Sequence, residues 1–324
     1  MGRKSDDLME IFVSTLTQMG FLFLLIVIGY AVSKLKVVPD NAPAVLSRLE
    51  NNVFIPALVI STFMSGFTFE TMTTAWQYLL GGLLVVGPGI PVAIAISRLC
   101  TRDKYIQKIY TYGLAFSNFG FMGNAVVKSM FPEVFPSYLI FVLFFWVFIY
   151  MWGVPVLLIP SEGGNKQSIK SRLRSFVNPM FIGMLIGMVL GLISPFFTVP
   201  GFIGNALTTL GDCMSPVAML LTGMTIAKID LKQTFINLNI YVVSLIRLIA
   251  LPLIGILIVM LLPIPKAISV CVVCSLAMPL GLNTVVVPSA YGLDTKVAAG
   301  MALISHLLSC ATIPLMFMIF EMLV

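Results

Sequence analysis

The sequence predicts an all-α polytopic membrane protein, with ten transmembrane helices arranged as two inverted five-helix repeats. Three observations carry that prediction. The chain has 324 residues, 59% of them hydrophobic and only 10% charged, with a mean hydropathy of +1.05; soluble domains are not built this way. Its apolar residues fall into ten runs, each near the roughly 20 residues that cross a bilayer. Residues of the first five runs recur in the last five at a nearly constant offset.

The runs lie at 11–33, 43–65, 76–98, 107–130, 137–159, 177–196, 203–227, 237–262, 267–290 and 297–322. The first follows Asp6, Asp7 and Glu10 and is too long for the core of a cleavable signal, so it is expected to remain as a span. The second opens with Arg48 and Glu50, which read as side chains snorkelling to the interface. Pro56 in that run and Pro216 in the seventh read as kinks. The fifth run is Phe-rich over 139–150, as packing and lipid contact require. His306, the only histidine, lies in the tenth; with no acid near it in the run it reads as a packing or hydrogen-bonding residue rather than a proton relay. Five cysteines without clustered partners form neither a disulfide framework nor a zinc site, and Cys271-x-x-Cys274 reads as one turn of helix packing. The polar stretch 161–175 is the longest connection, dividing the chain into a first repeat (1–160), a basic loop (161–176) and a second repeat (177–324).

Orientation follows from Lys and Arg. With the N-terminus outside, the inner loops collect thirteen of the nineteen basic residues, among them Lys34, Lys36, Arg98 and those from Lys166 to Arg174. The outer side keeps Arg3, Lys4, Lys128 and Lys266, while Arg48 and Arg247 fall within runs. Both termini are therefore expected outside the cytoplasm, and the second half enters the membrane inverted. The halves also match in detail. Asn52 and Pro56 correspond to Asp212 and Pro216, Thr62 to Thr222 and Met64 to Met224 at an offset of 160; Asn124-Ala-Val-Val corresponds to Asn283-Thr-Val-Val, and Pro155 to Pro314, at 159. Matches in register with the runs are the mark of an inverted repeat.

Two stretches break the apolar pattern. AFSNFGFMGNAVV (115–127) holds Asn118, Gly120, Gly123 and Asn124; SLAMPLGLNTVVVPSAYG (275–292) holds Pro279, Gly281 and Asn283. Glycine weakens a helix and an asparagine amide is costly to desolvate, so neither belongs on a lipid-facing helix. Paired interrupted segments in the two halves point to a transporter's binding site. Half-helix ends at such breaks offer free N–H groups and positive dipole ends to an anion. These seven residues form the candidate substrate site, the asparagines as amide ligands and the glycines for close backbone approach. The competing reading is that the asparagines satisfy only the broken ladder.

The chain resembles the auxin efflux carrier family of membrane transport proteins over nearly its whole length. The resemblance rests on Gly29-Tyr30 and Lys34, Asn52 with Pro56-Ala57-Leu58, Asn118-Phe-Gly-Phe-Met-Gly123, Asn178-Pro179, Gly211-Asp212 with Pro216, Met278-Pro279, and Pro314. Where the family's pattern is similar to G-x-P, this chain has Gly123-Asn124-Ala125, without the proline. The resemblance implies a sodium/proton-antiporter-like fold with a scaffold of spans 1, 2, 6 and 7, and a transport unit of spans 3–5 and 8–10. Broken spans 4 and 9 would cross, and a homodimer would form through the scaffold.

Coupling has three candidates. Asp212 lies about ten residues into its run, where a carboxylate is expensive and marks function; it would take a proton, help hold sodium, or pair with Arg247. Asn52 is its neutral counterpart, and Arg247 would pack the helices or reach a substrate carboxylate. The expected function is a secondary or potential-driven carrier of a small organic anion: a dicarboxylate such as malate or malonate, or an auxin-like monocarboxylate. The alternative is a cation/proton antiporter on the same fold, supported only by Asp212. No cofactor is expected beyond H+ or Na+ as coupling ion. The partners are the anion and the lipid bilayer of the cell (inner) membrane, not nucleic acid. Zinc-protease and serine-hydrolase motifs are absent, so the chain is not expected to be an enzyme.

Overall fold

The computed structural model describes residues 2–159, 179–228, 237–291 and 293–324. The expected basic loop at 161–176, Asn178 and Lys232 lie outside them. The described residues are almost wholly helical, with no strand beyond one isolated bridge.

The first helix, α1, is Gly2–Lys34. Next come α2 (Ala42–Leu49) and α3 (Ile55–Gly66), joined without a break by a π-helical turn at Glu50–Phe54. The cause is Pro56. Proline cannot donate to the carbonyl four residues back and its ring presses on that group, here on Asn52, so the helix widens by a residue. The same device recurs at Ile246–Ala250, one turn before Pro252, between α12 (Leu238–Leu245) and α13 (Leu251–Leu261). Pro216 acts differently. There, α10 (Gly201–Asp212) stops at Asp212, four residues ahead of the proline, and α11 (Met214–Ile226) starts after Cys213.

Five segments are long and apolar enough to cross a membrane: Phe12–Lys34, Phe69–Cys100, Phe135–Leu158, Leu238–Leu261 and Lys296–Leu323. They correspond to the first, third, fifth, eighth and tenth runs of the sequence. Of the other runs, the second is widened at its π turn, the fourth, seventh and ninth are interrupted, and the sixth is described only from α9, Pro179–Ile193. Outward faces carry exposed Leu24, Leu84 and Leu257, as a lipid surface requires.

Small residues set the packing, as they do where lipid offers no hydrophobic drive between helices. A Cβ on Gly29 would strike the Leu220 carbonyl, and one on Gly223 the Ile26 carbonyl, so α1 and α11 meet backbone to backbone. Gly183, Gly187 and Gly191 of α9 seat in the same way on Pro56, Ile60 and Phe67 of the α3 region. The first helix of each half thus packs on the second helix of the other. In a further group, α4 (Phe69–Cys100) lies against α7 (Phe135–Phe141), Gly82 meeting the Phe141 carbonyl. The last helix, α16 (Lys296–Leu323), packs on both α1 and α12.

Candidate functional site

The two irregular stretches meet. Helix α5 (Lys104–Ala115) ends as Phe116 turns extended, and the chain resumes as a π turn, Phe119–Gly123, leading into α6 (Asn124–Met130). Helix α14 (Lys266–Ala277) ends as Met278 turns extended, and α15 (Asn283–Ala290) follows. Between these ends Ser117 and Leu280 form an antiparallel bridge. The Asn118 N–H donates to the Pro279 carbonyl at 2.7 Å, and the Ser117 hydroxyl to the Ser275 carbonyl at 2.7 Å. Gly281 permits this contact, because a Cβ there would sit 3.0 Å from the Phe116 carbonyl oxygen.

Arg247 holds the junction from behind. It is 1% exposed. Its Nε donates to the Met278 carbonyl at 3.2 Å, and its two terminal nitrogens to the Leu114 and Ser275 carbonyls at 2.9 and 2.8 Å. These carbonyls belong to the C-terminal ends of α5 and α14, which a broken helix leaves orphaned. No described acid pairs with Arg247. Each helix end carries about half an elementary charge, so two C-terminal ends amount to about one negative charge, which the guanidinium cancels. What remains is two N-terminal ends, at Phe119 and Asn283, with their positive sign unopposed.

The Asn283 end, with Phe121 from the π turn that follows the other, borders a cavity of about 300 Å3, within the size range of small-molecule sites. Asn283, Leu282 and Phe121 come from the two stretches; Ser47, Asn51 and Asn52 come from α2 and its π turn. Trp146, Tyr150, Pro179 and Leu221 supply apolar wall. Asn283 Nδ2 donates to the Tyr112 hydroxyl at 2.9 Å. Asn52 spends its Nδ2 on the Arg48 carbonyl at 2.7 Å, and Asn51 spends its own on Ser47. An aromatic sleeve steadies the first stretch: the Phe119 ring lies 5.0 Å from Trp146 and 5.3 Å from Phe145. Gly120 accommodates Trp146, and Gly123 the Tyr138 hydroxyl.

The chain belongs to the membrane transport protein family. The family model, described as "Membrane transport protein", matches residues 14–317, the family that the sequence resembles as the auxin efflux carrier family. Its members are transporters, not enzymes. A search of the curated proteins found no match. The protein is thus a multi-pass, membrane-embedded transporter.

Within this transporter the predicted residues divide. Asn52 and Asn283 line the cavity, and Pro279, Gly281 and Asn118 make the junction. Asn118 is buried, its Nδ2 3.0 Å from His306 Nε2, while His306 Nδ1 lies 2.7 Å from the Ala302 carbonyl. The two partners fix the ring: Nδ1–H donates to Ala302, and Nε2 accepts from the Asn118 amide. Asn124 is buried away from the cavity with its side-chain oxygen unpartnered. Two expectations are corrected. Asp212 does not pair with Arg247; it is 58% exposed and joins Lys128 at 2.6 Å, because the Pro216 interruption ends α10 there and leaves the side chain at the surface. Glu50 does not snorkel. It is 0% exposed, and neither carboxylate oxygen has a partner. Its place eight residues into an apolar run, six residues before Pro56, is the signal for it. Among the described residues no acid, His or Cys cluster suits a metal ion.

Proposed function

We propose that this protein is a secondary transporter of a small organic anion, working by alternating access at the junction of the two interrupted segments. The observation that carries this reading is the Arg247-capped junction beside the cavity. It leaves unopposed helix N-termini and the Asn283 amide next to a space of about 300 Å3, a site for a carboxylate that needs no basic side chain in contact. On this reading the fourth and ninth of ten spans cross at the junction, within two inverted repeats. Spans 1, 2, 6 and 7, which hold the backbone-to-backbone pairings of α1 with α11 and α9 with α3, form the scaffold, and spans 3–5 and 8–10 form the moving unit. The cavity lies on the side of the loop 35–41, whose Lys36 belongs to the basic, cytoplasmic face by the positive-inside rule. The conformation is accordingly inward-facing, both termini are extracytoplasmic, and the home is a cell membrane.

The test is flux in proteoliposomes. Mono- and dicarboxylates are presented in turn, with and without pH and sodium gradients, while current is recorded. A saturable current for one acid, reduced in Asn283→Ala, is the expected result. Silence for every acid, together with a sodium-driven pH signal, would replace this reading with cation/proton antiport.

A further inference from the structure

Glu50 is the most isolated charge-bearing group in the described structure. It sits in the π turn between α2 and α3, fully buried, both carboxylate oxygens without a hydrogen-bond donor. The elements packed on that turn are α2, α3, α9, α10 and α11. Among their described residues the titratable and charged groups are two. Arg48 of α2 is exposed, and Asp212 of α10 is exposed and held by Lys128. Neither forms an ion pair with Glu50. The nearest amide donors, on Asn51 and Asn52, point back along their own helix to the Ser47 and Arg48 carbonyls.

An ionised carboxylate without donor, counter-charge or water is the costliest state a side chain can occupy, and protonation removes the charge. Glu50 is also one residue from Asn51 and three from Ser47, both on the cavity wall. A change in how the cavity opens therefore changes its access to water. We propose that Glu50 is a proton-binding site of this transporter. It carries one H+ as the neutral acid when the cavity is arranged as here, and releases it as the carboxylate when rearrangement of the cavity wall hydrates it. The proposal rests on the transporter reading but not on the identity of the substrate. Functionally, one proton bound per cycle offsets one of the negative charges of a carboxylate cargo.

The test is infrared difference spectroscopy of the reconstituted protein across a pH titration, on wild type, Glu50→Gln and Glu50→Asp. Wild type is expected to show a protonated carboxylic-acid C=O band that bleaches reversibly as pH rises. The band should be absent in Glu50→Gln and shifted in Glu50→Asp, which also controls for folding. No band, or one that survives in Glu50→Gln, overturns the proposal. So does a band that never bleaches at alkaline pH, which would mark a permanently neutral structural acid. Malonate flux in the same vesicles gives a second reading. A pH gradient should accumulate malonate at least tenfold less in Glu50→Gln than in wild type, with exchange at equal pH retained; unchanged gradient-driven accumulation overturns the proposal. If no vesicle moves malonate while the Glu50 band titrates, malonate as cargo is excluded and the proton site stands.

Discussion

The two interrupted stretches look equivalent in the sequence and are used differently in the fold. The second breaks with a proline, and its helix restarts directly at Asn283, whose amide borders the cavity. The first breaks without one. Its chain is held extended by donating the Asn118 N–H to Pro279, so the proline of one stretch supplies the acceptor that stabilises the other. It then passes through a π turn before α6, which carries Asn124 into buried packing, although Asn124 is the sequence counterpart of Asn283. Asn118 turns inward to His306. One stretch is thus a brace and the other an edge of the cavity. The lesson is that two breaks matched in the sequence need not share the duty of each residue in them, because one inserted π turn re-aims every side chain after it.

The largest expected effect on this comparison comes from Arg247, on which both stretches depend. Arg247→Leu takes the guanidinium donor from the Leu114 and Met278 carbonyls and one of two donors from the Ser275 carbonyl, at about 1–3 kcal/mol for each carbonyl left unmet. Thermal unfolding in detergent should show a loss of about 3 kcal/mol or more, and Arg247→Lys should recover only part of it, since one ammonium lacks the fork that reaches three acceptors. Stability equal to wild type in Arg247→Leu would mean that the junction does not need its cap.

Gly281→Ala follows. The added Cβ would press on the Phe116 and Ser117 carbonyls at 3.0 and 3.3 Å and pry the stretches apart; overpacking of this kind costs about 1–3 kcal/mol. Transport should fall with stability. Gly20→Ala, where a Cβ meets nothing within 4 Å, is the control.

The asparagines separate brace from edge. Asn283→Ala should weaken apparent substrate affinity about tenfold, roughly 1.4 kcal/mol, with little change in melting temperature. Asn118→Ala should do the reverse, lowering stability by about 1 kcal/mol through the lost His306 bond. Equal effects of the two on affinity would erase the distinction drawn here.

The smallest effect is expected at Asp212. Its ion pair with Lys128 is exposed, and such pairs contribute about 0–1 kcal/mol. Asp212→Asn should leave melting temperature and the pH dependence of flux nearly unchanged. Loss of that pH dependence would return Asp212 to the coupling role that its position in the sequence suggested.

The sequence by itself determined the class of the protein, the helical runs and where they fail. Composition excludes a soluble fold, proline positions dictate where ladders widen at Asn52 and end at Asp212, and the pairing of Asn with Gly marks 115–127 and 275–292 as irregular. Those are local consequences of backbone chemistry, readable along the chain. Only the tertiary structure decided which buried group meets which. Arg247 and Glu50 both lie inside apolar runs, yet one fold-distant set of carbonyls satisfies the guanidinium while no described donor satisfies the carboxylate. Asp212 is carried to the surface by a helix end. Hydrogen-bond partners 28, 31 and 133 residues apart in the chain leave no periodic trace in it, so partnership, unlike periodicity, had to be read in three dimensions.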